Sequence, residues 1–175
     1  MLRIIQKMPI RDLMNDNPLT LGPSTGLHRA LGLLLDHHVV GAPVVSKHNQ
    51  LIGFVSEQDI LRELWANDFE FNINHCIGDI MREEIVTVSP SETIDELAAY
   101  MVFDPNKLFE SKTSNPNRMP GNFDDDLVQA QVTRPKLYPV VENGFVLGTI
   151  DRQTLLRAFH RLAAQIEGQR AAENA

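Results

Sequence analysis

Apolar residues fall at Leu27, Ala30, Leu31 and Leu34, the i, i+3, i+4, i+7 spacing of one helical face. The same spacing returns at Ile94, Leu97, Ala98 and Met101. A short β-type triplet precedes each run, Leu19-Thr20-Leu21 or Val86-Thr87-Val88, and a Pro-Val-Val triplet follows, at 43–45 and 139–141. LIGFVSEQDIL at 51–61 and VLGTIDRQTLL at 146–156 then pass from strand-like residues into a second helical pattern. Asn49-Gln50 and Asn143-Gly144 fit the hairpin turns between the last two strands, Asn-Gly being the stronger signal. Upstream, IRDLM at 10–14 returns as IGDIM at 77–81.

The chain therefore reads as one unit written twice. Each unit is a short strand (19–21 or 86–88), a helix (25–36 or 92–103), a Pro-Val-Val strand, a strand through Gly53 or Gly148, and a closing helix. A unit of roughly 55 residues with a three-stranded sheet is marginal alone, so two copies sharing a core are the sensible arrangement. The expected divisions are a lead segment 1–9, repeat one at 10–65, a connector 66–76, repeat two at 77–160, and a helical extension and tail at 161–175. Repeat two carries an insertion at about 103–135, rich in Asn, Pro and Asp, in which Asp124-Asp125-Asp126 suits a helix cap. Such a loop is either a tolerated surface insertion or a working lid or partner contact. The stripe Leu155, Leu156, Phe159, Leu162, Ala163 and Ile166 outlasts what one unit needs, and can cover the other unit or a second chain.

Composition narrows the class. Cys76 is the only cysteine of 175 residues, so no internal disulfide can form and a reducing compartment is expected. The net charge of -7, with no Lys/Arg cluster, argues against nucleic acid as a partner. No apolar run approaches the ~20 residues that span a bilayer, and the basic residues Arg3, Lys7 and Arg11 break up the start. The expectation is a cytoplasmic protein with no membrane contact.

The order I-x-D-L-M, L-T-L, amphipathic helix, G-A-P-V-V and G-F-V-S-E-Q-D-I-L resembles the cystathionine β-synthase (CBS) domain, and the tandem pair resembles a Bateman module. The resemblance implies an α+β fold, with two β-α-β-β-α repeats packed through their sheets around a pseudo-twofold axis. It also implies two clefts, which in many members bind adenosine compounds such as AMP, ADP, ATP or S-adenosylmethionine. The family's glycine, hydroxyl and carboxylate match Gly53, Ser56 and Asp59. By that resemblance Asp59 accepts from the ribose diol, Ser56 faces a phosphate, and the backbone near Thr20 and near Gly41, Ala42 and Pro43 meets the base.

The chemistry suits a ligand, because a strand-to-helix turn offers free N–H groups and a positive dipole end to an anion. A glycine lets a ligand approach the backbone. Ser-x-x-Asp is equally a capping box that merely starts the helix. The two roles are compatible, since a serine oxygen can accept from an amide while donating to a phosphate.

The second copy departs from the pattern, with Asp151 and Thr154 where Ser56 and Asp59 stand. A weaker second cleft is expected from Thr87, Lys136, Tyr138, Pro139, Asp151 and Thr154, empty, structural or tuned to another ligand. Site one lacks basic residues before its proline, having Val40 and Gly41 where the second copy has Lys136 and Leu137. That favours a less charged adenosine compound, or a phosphate clamped from elsewhere in a dimer.

Neither His37-His38 nor Cys76 announces a metal or a catalytic site. Trp65 extends a helical stripe as core or interface. The reading is a non-enzymatic regulatory module, a homodimer acting on an unidentified protein partner, with no cofactor required. The alternative is a pure interaction module working through 103–137 or the C-terminal helix. An enzyme is the weakest reading, because no nucleophile–base pair stands out.

Overall fold

The computed structural model describes residues 7–70, 75–102 and 135–173. A short 3-10 turn, Ile10–Asp12, leads into helix α1 (Leu27–Asp36), strands β1 (Gly41–Val45) and β2 (Leu51–Ser56), and helix α2 (Glu57–Ala66). The second half repeats this order with α3 (Ile77–Ile80), α4 (Ile94–Val102), β3 (Leu137–Glu142), β4 (Phe145–Asp151) and α5 (Arg152–Glu173). The insertion at 103–134, Phe71, and the side chains of Leu162 and Ile166 lie outside the described residues.

Both hairpins form as their residue patterns predict. β1 pairs antiparallel with β2 and β3 with β4, and each register shifts after the first valine of Pro-Val-Val. Asn143 and Gly144 take φ values of 53° and 83°, the doubly positive signature of the tight hairpin turn that Asn-Gly favours. The expected first strands contract to one parallel bridge each, Leu21 to Val44 and Val88 to Val140. The next ladder donors would be Pro23 and Pro90, which have no N–H to give.

Two cores fill these units. Core one gathers Leu21, Leu27, Ala30, Leu34, Ala42, Val44, Val55 and Ile60, and core two gathers Val88, Ile94, Leu97, Tyr138, Val140, Ile150 and Leu155. Each is completed from across the molecule: Ile77 lies in core one and Ile10 in core two, both fully buried. The lead segments of the two repeats, 10–15 and 77–82, are thus exchanged.

Main-chain bonds fix the exchange in matching places. Ile10 N–H donates to Glu92 O and Ile77 N–H to Thr25 O, both at 2.8 Å. Asn15 bonds Thr149 in both directions, and Arg82 bonds Phe54 likewise. At the hairpin tips Leu51 N–H donates to Gly144 O at 2.9 Å and Asn49 Nδ2 to Val146 O at 3.1 Å, joining the two sheets edge to edge.

The closing helices leave several apolar side chains uncovered. Leu61, Trp65 and Leu156 are exposed by 58%, 72% and 60%, and Trp65 meets Phe69 edge-on at 5.6 Å. Within one chain Trp65 therefore lies outside both cores.

Candidate functional site

Ser56 ends β2 and caps α2, and the capping box forms in full: the Asp59 N–H donates to Ser56 Oγ at 3.3 Å, and the Ser56 N–H to Asp59 Oδ2 at 3.0 Å. Ser56 Oγ also donates to Asp59 Oδ2 at 2.5 Å. The other carboxylate oxygen is claimed by two arginines. Oδ1 accepts from Arg62 Nη1 at 3.0 Å, from Arg82 Nε at 2.9 Å and from Arg82 Nη2 at 2.6 Å. Arg62 comes from the next turn of α2, whereas Arg82 is delivered by the exchanged lead segment. Asp59 is 3% exposed, and a carboxylate this buried persists as an anion only with partners of this kind. Burial pushes its carboxyl up, but the hydrogen bonds from Ser56 and Arg82 prevail and hold it below the ordinary aspartate value.

These groups line a cleft of about 490 Å³ between the repeats, with Val40, Phe54, Glu57, Gln58, Glu84, Ile85, Val86, Pro135, Lys136, Leu137 and Pro139. The volume suits a drug-sized ligand. Phe54, Ile85 and Val86 supply apolar walls, while Arg62, Arg82 and Lys136 supply positive charge. Lys136 and Pro139, placed by the sequence in a second cleft, lie in the same cleft as Ser56 and Asp59.

Thr20, Gly41, Ala42, Pro43 and Gly53 do not line it. Gly41, Ala42 and Pro43 are buried in β1, paired to Ser56, Val55 and Phe54. A Cβ on Gly41 would fall 2.7 Å from Val55 O and 2.9 Å from the Phe54 ring. The space beside Gly53 is filled by Met81, and that beside Gly148 by Met14 and Asn15. Both glycines thus admit the exchanged lead segments, a neighbour sequence reasoning did not anticipate.

In the second copy Asp151 takes the capping role, accepting from Thr154 N at 2.7 Å and Thr154 Oγ1 at 2.6 Å. This reverses the first copy's polarity, with the carboxylate at the cap and the hydroxyl three residues on. Thr87 is exposed and Tyr138 is buried in core two. The cleft residues that sequence reasoning missed are chiefly Arg62 and Arg82. Arg62 was findable from its i+3 spacing to Asp59. Arg82 was not, since only the exchange brings it near. Among the described residues no cluster of His, Cys, Asp or Glu could hold a metal, and no helix is long and apolar enough to cross a membrane.

The profile of the CBS domain matches residues 10–66 and 77–104. The Methanocaldococcus jannaschii protein MJ1225 is 32% identical over 94 residues, covering 54% of this chain and 32% of that protein. The chain spans a third or less of the length of the first curated relatives it matches. The CBS domain pair of protein MJ0100, solved with 5′-methylthioadenosine and S-adenosyl-L-methionine, superposes at a TM-score of 0.59 with 19% identity over 88% of this chain and 97% of that one. CBSX2 of Arabidopsis thaliana, solved with AMP, superposes at 0.58 with 23% identity over 89% of this chain and 98% of that one. The repeated motif order, the two interlocked β-α-β-β-α halves and these likenesses together make the chain a tandem pair of CBS domains, a Bateman module.

Proposed function

We propose that this pair is a non-enzymatic sensor that binds an adenosine compound in the cleft beside Ser56 and Asp59 and passes the event to a partner protein. The observation that carries the reading is the cleft itself, in which a helix N-terminus, a buried carboxylate, apolar walls and three cations converge. A ribose diol suits the carboxylate, a base suits the apolar walls, and an anion suits the helix end and the cations. Related pairs solved with AMP or with 5′-methylthioadenosine and S-adenosyl-L-methionine support the ligand class. Signalling would follow from a difference in affinity between two arrangements of the module. The homodimer contact is assigned to the exposed apolar side chains of the closing helices, Leu61 and Trp65 on α2 and Leu156 on α5.

The test is a melting scan with AMP, ADP, ATP, S-adenosylmethionine and 5′-methylthioadenosine. A ligand at 100 times its dissociation constant adds about 2.7 kcal/mol and moves Tm visibly. The Asp59→Ala variant should lose that shift. If no compound moves the wild type at millimolar concentration, or if the shift survives Asp59→Ala, the ligand site is elsewhere or absent. The pure interaction reading would then stand.

A further inference from the structure

A carboxylate offers about four acceptor positions. Five donors already reach Asp59: Ser56 N and Oγ on Oδ2, and Arg62 Nη1, Arg82 Nε and Arg82 Nη2 on Oδ1. A ribose diol can use this carboxylate only if a guanidinium leaves. Arg62 holds one bond and its loss would still leave four donors, whereas Arg82 holds two of the three bonds to Oδ1, so its departure opens the carboxylate; its main chain is pinned to Phe54 by two 2.9 Å bonds while its side chain is 51% exposed. Only the side chain has to turn.

From this we infer that Arg82 makes the cleft select for charge at the 5′ position, taking a nucleoside monophosphate in preference to a neutral nucleoside. The inference rests on the reading of the cleft as an adenosine site. A ligand that displaces Arg82 from Asp59 breaks a charge-assisted pair. A phosphate restores the loss by accepting the same guanidinium, with two parallel N–H bonds available. A neutral 5′ group restores nothing. Lys136 and Arg62 line the same cleft and reinforce the preference, while Glu57 and Glu84 also line it and are solvent-exposed. Selection therefore comes from the groups gathered at Asp59 and not from a positive field over the whole cleft.

Calorimetric titration of the full chain with AMP, adenosine and 5′-methylthioadenosine tests this. In wild type AMP binds roughly 10- to 100-fold tighter than either neutral compound, the range that charge-assisted hydrogen bonds supply. In Arg82→Gln AMP weakens, adenosine strengthens, and most of the preference is lost, the remainder coming from Lys136 and Arg62. Arg82→Lys keeps the charge, tolerates the site more readily, and retains part of the preference. Full retention in Arg82→Gln, complete loss in Arg82→Lys, or neutral compounds matching AMP in wild type would each overturn the role given to Arg82 while leaving the adenosine site intact. Binding of none of the three compounds by any variant would remove the adenosine site itself, and this inference with it.

Discussion

The exchange of lead segments predicts unequal costs for two alanine substitutions at equivalent glycines. In Gly148→Ala the new Cβ would sit 2.5 Å from Asn15 O and 2.9 Å from Met14 Sδ. The oxygen is main chain, and Asn15 is tied to Thr149 by bonds of 2.8 and 3.0 Å, so it cannot retreat without straining both. Losing those two bonds costs about 1 kcal/mol each, and overpacking adds about 1–3 kcal/mol. The sum is roughly 3–5 kcal/mol, or a fall in Tm of roughly 6–20 °C for a chain of this size. In Gly53→Ala the obstacle is the Met81 side chain, which can turn aside. That substitution costs only about 1–3 kcal/mol, and combining it with Met81→Ala should be less damaging than the two single costs added. Urea unfolding of the four variants against wild type measures all of these values. A Gly148→Ala protein within about 1 kcal/mol of wild type, or strict additivity for Gly53 and Met81, would refute the tight interlock.

Other outcomes follow from the same contacts. Asp59→Ala removes the capping box and two ion pairs; because the arginines remain half-exposed and can be rehydrated, the loss should be about 2–3 kcal/mol by denaturant titration, short of that for a fully buried pair. The lowered pKa of Asp59 makes its stabilising contribution full above the unfolded value near 3.9 and lost as pH falls through the lower folded value, so the Tm gap between wild type and Asp59→Ala should begin to close below about pH 4 and keep narrowing with further acid. Thr93 donates to Asp95 and Glu96 and lowers both carboxyls, so Thr93→Val should also flatten the acid limb of the stability profile. Trp65→Glu should shift a homodimer to monomer in sedimentation with little change in monomer stability, since the ring is 72% exposed within the chain.

Much of this architecture is legible in residue order because the signals are local. The spacing of Leu27, Ala30, Leu31 and Leu34 marks a helix and its buried side, Asn143-Gly144 marks a tight turn, and Ser56 with Asp59 marks a helix start. What stayed hidden is any fact about which copy supplies a neighbour. Ile10 and Ile77 are the same residue in the same motif, so either would fill either core and the pattern gives no preference. The first strands were overread because periodicity registers Leu19-Thr20-Leu21 without registering that Pro23 removes the next donor. The charged half of the cleft was hidden for the same reason as the exchange: Arg82 and Lys136 belong by sequence to the second copy and meet Asp59 only once the halves are interlocked.

The handclasp of Ile10 and Ile77 also constrains how many copies such a chain can carry. A single half would hold one unfilled slot and one unclaimed arm, and beside a pair whose exchange is reciprocal a third half finds both slots and both arms already engaged. Balance is reached in even numbers, so an excised half should seek its twin in trans, and its mass in dilute solution would reveal whether it does.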